Sequence, residues 1–373
     1  MAFAQAFKSK TALPKELFLR STLENLSVYG AAHFLVDLIC AGALFSLFAG
    51  GHELIEIAFL VVLYNILAFG LQLPLGIISD ILRKPRFFGA LGLLIAAGGG
   101  IIAFYSPLYG IIAAGIGNAL FHIGGGSISL NLTPKKASAP GIFVAPGALG
   151  LLAGTLIGKF GLFNPFIFGG LALLLTGGII MLKQIKMNYS KKPAAKINYF
   201  ELIVIFLLIV IVSRSVLGFA ISFPWKVDLL LLVVLTIGVV LGKAFGGILG
   251  DKFGWIKAGA GGLIVSAPLI FLGVQNPLLG ILGLFLFNFT MPITLTALSN
   301  IFPGKPGFSF GLTCMALLIG ALPVLVGLNG VFSNLTLVAC GIVVTAIILF
   351  ISLYLLRKPF EKSRFNKKKN IVE

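Results

Sequence analysis

The chain has 373 residues, of which 58% are hydrophobic and only 10% charged, with a net charge of +17. A soluble domain carries about a quarter charged residues, and one globule of this size cannot hide so much apolar surface, so the composition excludes a soluble fold and calls for lipid as solvent. The basic residues sit in short loops and tails rather than on a face interleaved with aromatics, which speaks against nucleic acid as a partner and for the cytoplasmic bias of Lys and Arg in membrane proteins.

A bilayer core takes about 20 apolar residues per helix. In chain order, that ruler predicts spans at Leu26–Ala49, Ile55–Ile78, Phe88–Phe104, Leu108–Leu130, Gly141–Leu162 and Pro165–Met181. After a polar stretch it predicts six more, at Tyr199–Ile221, Leu229–Leu249, Ala258–Leu272, Pro277–Ile301, Phe308–Leu328 and Val331–Leu355. The fold class expected is an all-α polytopic membrane protein with about twelve transmembrane helices in two pseudo-symmetric six-helix bundles. Residues 1–25 form a basic cytoplasmic N-terminal segment, suited to lie on the membrane surface. Residues 26–182 form the first bundle, 183–198 a cytoplasmic linker, 199–356 the second bundle, and 357–373 a basic cytoplasmic tail.

The loop charges support an even count. One set of loops holds Arg83, Lys84 and Arg86, then Lys135 and Lys136, then Lys183, Lys186, Lys191, Lys192 and Lys196, then Lys252 and Lys257, then Lys305. Both tails join it, with Lys8, Lys10, Lys15 and Arg20 at one end and Lys367, Lys368 and Lys369 at the other. The alternate loops carry only Lys159 and Lys226. Both termini are therefore expected in the cytoplasm, with the chain in the plasma (inner) membrane. The cysteines Cys40, Cys314 and Cys340 fall in apolar runs and read as packing residues.

An internal repeat stands out. The stretch Gly76-Ile77-Ile78-Ser79-Asp80 leads into Arg83, Lys84 and Arg86, and Gly247-Ile248-Leu249-Gly250-Asp251 leads into Lys252, Gly254 and Lys257. The two aspartates lie a little under half the chain apart, each after the second helix of its half, as in parallel-repeat transporters. A carboxylate at a helix junction beside basic side chains can form a charge-assisted bond that breaks when the halves rock.

With these residues the sequence resembles the major facilitator superfamily, whose loop between the second and third helices reads glycine, three residues, aspartate, then a basic cluster around a glycine. The first copy has Arg83 where that inner glycine is expected. The resemblance implies that Gly76, Asp80, Arg83, Arg86, Gly247, Asp251, Lys252 and Lys257 act as a conformational latch, each aspartate pairing with nearby basic groups and the end of a neighbouring helix. A narrower resemblance lies in Gly115 to His122, in Phe143 to Gly150 with Gly154, and in His33 with Asp37. These stretches are similar to fosmidomycin-resistance-type drug exporters, although positions near Val144 and Ala148 are apolar here.

Ionisable groups inside spans cost several kcal/mol and are functional candidates by default. Asp37 falls near the middle of the first span, with His33 one turn earlier on the same face. His122 and Asn118 pair similarly in the fourth span. Arg214 lies in the seventh, Asn288 and Thr290 in the tenth. The resemblance implies that the first, fourth, seventh and tenth helices line a central cavity. Asp37 and His33 are the candidates for proton coupling. Arg214, His122, Asn118 and Asn288 are those for substrate binding, with Arg214 either pairing with Asp37 or holding an anionic group. Glu53 and Glu56 read as interfacial. Gly141, Gly147, Gly150, Gly154 and Gly158, with Pro146, form a small-residue stripe that permits close helix approach and resembles the antiporter type of fifth helix. Lys243, Gly246 and Gly247 read as part of the second loop signature.

No nucleotide-binding P-loop, HExxH or GxSxG is present, so no enzyme, cofactor or metal is expected. The expected function is proton-coupled antiport that exports a small organic molecule or drug by alternating access, with the chain acting as a monomer. The alternatives are proton-coupled import of a small metabolite anion at Arg214, and a membrane scaffold that keeps the fold without transport.

Overall fold

The computed structural model describes residues 15–183, 185, 187–189, 198–328 and 334–372, the side chains of 15–18 and 358–372 aside. Lys8, Lys10, Lys186, Lys191, Lys192 and Lys196 lie outside the described residues, as does most of the predicted linker. No strand occurs among the described residues. Ten helices are long and apolar enough to cross a bilayer, and two shorter apolar helices, Pro165–Met181 and Ile256–Leu272, complete a set of twelve.

The helices are α1 (Lys15–Ala49), α2 (Leu54–Leu82), α3 (Pro85–Tyr105), α4 (Pro107–Leu132), α5 (Ser138–Lys159) and α6 (Pro165–Met181), then α7 (Phe200–Ala220), α8 (Leu229–Phe253), α9 (Ile256–Leu272), α10 (Pro277–Ile301), α11 (Pro306–Leu325) and α12 (Leu335–Val372). Proline at the first turn starts α3, α4, α6, α10 and α11, where its missing N–H costs nothing. Asn164, Asp228 and Asn276 cap α6, α8 and α10 by accepting backbone N–H groups.

Four features depart from the sequence reading. Helix α1 begins at Lys15, so Lys15–Asn25 continue the first span rather than forming a separate surface segment. Helix α12 runs on to Val372, well past Leu355. Helix α2 carries a wide π-turn over Ile66–Gly70. Helix α10 is broken between Phe287 and Thr290, and at the break the Asn288 amide donates to the Leu284 carbonyl at 2.8 Å. A short polar side chain that bonds its own backbone competes with the regular ladder.

Buried apolar side chains gather mainly in two cores. One joins α1, α3, α4, α5 and α6 around Leu93, Phe121, Ile123 and Phe143. The other joins α7 to α12 around Ile203, Leu207, Ile211, Leu263 and Ile293. Large apolar side chains such as Leu54, Phe59, Leu174, Leu230 and Val344 are exposed outward, as lipid-facing surface should be. Between the halves, α5 packs on α8 and α2 on α11.

Candidate functional site

The repeated signature sits at one end of these two seams, and both copies do the same thing. The Asp80 carboxylate, at the end of α2, accepts from the backbone N–H groups of Gly307 and Phe308 at 2.9 and 2.8 Å. The Asp251 carboxylate, at the end of α8, accepts from Ala137 and Ser138 N–H, both at 2.9 Å. Each aspartate thus caps the N-terminus of a helix in the opposite half, α11 or α5, where orphan donors and the helix dipole favour a negative charge. Trp255 adds an indole N–H to Asp251 at 3.2 Å. The glycine four residues earlier makes the approach possible. A Cβ on Gly76 would collide with the Gly307 carbonyl, and one on Gly247 with the Ala137 carbonyl.

The basic residues of the signature do not pair with the aspartates. Arg83 ends α2 in the left-handed conformation, φ +56°, at the register position where Gly254 has φ +99° in the second copy, and its guanidinium lies 5.6 Å from the Tyr189 ring centre. Arg86 donates to the Ile180 and Leu182 carbonyls at the end of α6. Lys252 lies 5.2 Å from the Phe253 ring centre, and Lys257 forms no ion pair among the described residues. Backbone N–H groups fixed at a helix start satisfy a carboxylate at smaller entropic cost than long flexible side chains do, which explains the difference from the expected acid–base pairing. Burial, then the nearby Asp80 carboxylate, push the Tyr189 hydroxyl up to about 12, so this ring stays neutral beside Asp80.

Deeper in the bundle, α1 and α4 bring four predicted residues together. His33 Nε2 lies 3.3 Å from Asp37 Oδ2 and 2.9 Å from His122 Nε2. His122 Nε2 is 3.8 Å from Asp37 Oδ1, which accepts from the Asn118 amide at 3.0 Å. Each histidine is oriented by a backbone carbonyl: His33 Nδ1–H donates to Phe143 O on α5 at 2.7 Å, and His122 Nδ1–H to Asn118 O at 2.9 Å. A carbonyl can only accept, so both Nδ1 atoms carry hydrogen and both Nε2 atoms face the cluster. The side chains of Asp37 and His122 remain 18% and 13% exposed, so the cluster opens on one side. Gly147 of α5 backs it: a Cβ there would press on both His33 and Asp37. The rest of the glycine stripe divides, with Gly150, Gly154 and Gly158 against the α1 backbone and Gly141 against Lys243 O on α8.

The second half contributes cations. Arg214 of α7 is 8% exposed, and its Nε has no hydrogen-bond partner among the described residues. The expected Arg214–Asp37 pair is not formed: the carboxylate is taken up by His33 and Asn118, and Arg214 makes no ion pair among the described residues. Lys243 of α8, part-buried and also without an ion pair, lies within electrostatic reach of both Arg214 and Asp37. The sequence reading missed it by assigning it to the loop signature, although a lysine inside an apolar span is itself a signal. Asn288 packs against Gly242, next to Lys243, with its amide hydrogen turned to its own helix.

No protein-family model and no curated protein sequence matches the chain. Solved structures do. The Escherichia coli fucose:proton symporter FucP aligns with a TM-score of 0.66 at 13% identity, over 90% of this chain and 99% of that one. A second FucP structure, a major facilitator superfamily transporter in the outward conformation, aligns at 0.64 and 13% with the same coverage. The human organic anion transporter MFSD10 (TETRAN) aligns at 0.59 and 14%, again over 90% and 99%. The chain has the twelve-helix fold of the major facilitator superfamily transporters.

Proposed function

We propose that the chain is a secondary active transporter of the major facilitator superfamily that moves a small organic anion, coupled to protons, by alternating access. One observation carries this reading: Arg214 and Lys243 are cations inside the bundle without an ion-pair partner among the described residues. An uncompensated charge there costs several kcal/mol, and a carboxylate, sulfonate or phosphate of the substrate would offset it. Asn288, beside Lys243, would border the same site. Asp37, His33, Asn118 and His122 form the cation side, where the coupling proton is held. A proton added there and an anion held at Arg214 and Lys243 attract each other, so by linkage each raises the affinity for the other. Such cooperativity favours movement of both in one direction.

Antiport export, the alternative direction, draws its support from the glycine packing of α5 on α1, which suits sliding of those helices. In either case Asp80 and Asp251 act as the latch that holds the basic, cytoplasmic end closed. The protein works as a monomer in the plasma (inner) membrane with both termini cytoplasmic. The test is proton flux in proteoliposomes with a pH-sensitive dye inside, on addition of a panel of organic anions and of neutral and cationic compounds. Anion-driven proton movement, abolished by Arg214→Gln, is the expected result. Movement driven by cationic compounds only would overturn the anion assignment, and silence across the panel in folded protein would favour a non-transporting scaffold.

A further inference from the structure

His33, His122 and Asp37 present more than a proton needs. Their three donor atoms lie within 4.8 Å of one another. Both Nδ1 hydrogens are spent on backbone carbonyls, so in neutral rings the two Nε2 lone pairs face each other at 2.9 Å. That arrangement repels unless a cation joins it. One proton between the rings satisfies that edge but leaves the 3.8 Å edge from His122 to Asp37 unbridged. A metal ion satisfies all three edges. Zinc-class ions bind imidazole nitrogen and carboxylate oxygen at about 2.0–2.2 Å, which in a tetrahedron sets ligand atoms about 3.3–3.6 Å apart. The rings stand 2.9 Å apart at Nε2, and Asp37 presents Oδ2 to His33 at 3.3 Å and Oδ1 to His122 at 3.8 Å, so the carboxylate would bind an ion through both oxygens or turn to offer one of them to both rings.

The surroundings fit as well. Ligating histidines characteristically donate their other ring N–H to a carbonyl, and ligating carboxylates are themselves hydrogen-bonded. All three groups satisfy that condition, through Phe143 O, Asn118 O and the Asn118 amide. Two imidazoles select against the oxygen-seeking magnesium and calcium ions. We propose that His33, Asp37 and His122 form a three-ligand site for a divalent transition-metal ion of the zinc class, with the fourth position open on the exposed side. The charge of Lys243 acts electrostatically on both Asp37 and His122 and favours an anionic oxygen as fourth ligand. Local spacing could not show the site, because its ligands come from two helices. Metal and proton use the same lone pairs, so bound metal blocks proton coupling.

The experiment uses chelator-stripped full-length protein without a histidine tag, in detergent, titrated with Co²⁺ as a visible-absorbing probe and then with Zn²⁺. The expected result is one Co²⁺ per chain, with the strong absorption of a four-coordinate site, displaced by Zn²⁺. His33→Gln and His122→Gln each remove it, and Asn118→Ala weakens binding about 10–100-fold. His52 is the remaining one of three histidines and pairs with Glu56 at an exposed turn, so His52→Gln leaves binding unchanged. Size-exclusion profiles establish folding, and Zn²⁺ should raise the melting temperature of the wild type but not of folded His122→Gln. Absence of binding in the wild type overturns the site, as does binding that survives both histidine substitutions. Binding by protein that transports nothing upholds the site and counts only against the transport reading.

Discussion

The two halves of the bundle treat buried charge in opposite ways. In the first half, Asp37 is held by His33 and Asn118, and both histidines are fixed by carbonyls. In the second half, Arg214 and Lys243 have no comparable network among the described residues, and there Arg214 Nε has no hydrogen-bond partner. Hydrogen bonds to backbone carbonyls and to Asn118 hold the first cluster in position and leave it short only of a shared cation, whereas the second keeps a standing cost that an anion would relieve. The comparison therefore sets the proposed cation site on α1 and α4 apart from the proposed anion site on α7 and α8.

The sharpest way to break that division is to remove charges one at a time. Arg214→Gln should lower anion affinity about 100-fold, the scale expected when a buried charge-assisted bond worth 1.5–3 kcal/mol is lost; equilibrium binding to solubilised protein measures it. Asp37→Asn should abolish coupled proton movement yet leave anion binding within about tenfold, since it removes only a through-space attraction. Equal loss of anion binding in both variants would erase the distinction. Gly147→Ala tests the first half without touching a charge. Its methyl group presses on His33 and Asp37, and overpacking of this kind costs about 1–3 kcal/mol, so proton coupling should fall while anion binding to solubilised protein stays near wild type.

Smaller effects are expected at the proposed latches, where the halves behave alike. Asp80→Asn and Asp251→Asn each weaken an interhelical cap worth about 0.5–2 kcal/mol, shifting the closed population by about 2- to 30-fold. Distance measurements between spin labels on α2 and α11, and on α5 and α8, would read it, and the two variants should shift by similar amounts. The smallest effect concerns Arg83. Replacing it by glycine relieves a left-handed conformation that costs about 1–2 kcal/mol but forfeits the Tyr189 stacking, worth about 0.5–1 kcal/mol at an exposed site. Thermal unfolding of Arg83→Gly should change by no more than a few degrees.

Much of this architecture was legible in the amino-acid order. Apolar run length located the helices, since a bilayer imposes a length no soluble core does, and the repeat placed both aspartates. His33 with Asp37 and Asn118 with His122 were legible as same-face pairs because a turn of helix brings i and i+4 together. That the two pairs meet depends on how α1 and α4 cross, which no local pattern encodes. The carbonyls of Phe143 and Asn118 that orient the imidazoles are backbone groups every residue possesses, so residue type carries no trace of them. The break at Asn288 reflects its amide turning back on Leu284 O, one choice among several open to an asparagine inside an apolar run. Lys243 was hidden by its closeness to a motif that explained its neighbours.

The paired caps also bear on time. In the proposed cycle, closing the basic end makes two N–H···O bonds at each seam, to Gly307 and Phe308 and to Ala137 and Ser138, with no side chain on Gly76 or Gly247 to wedge in between. If each half moves as a body, neither seam can part alone, and water must replace all of these bonds in one event. Small barriers that must be crossed together add, so the closed state should be long-lived compared with the fluctuations of either seam. Departure from it, rather than the making or breaking of contacts deeper in the bundle, would then set the turnover clock.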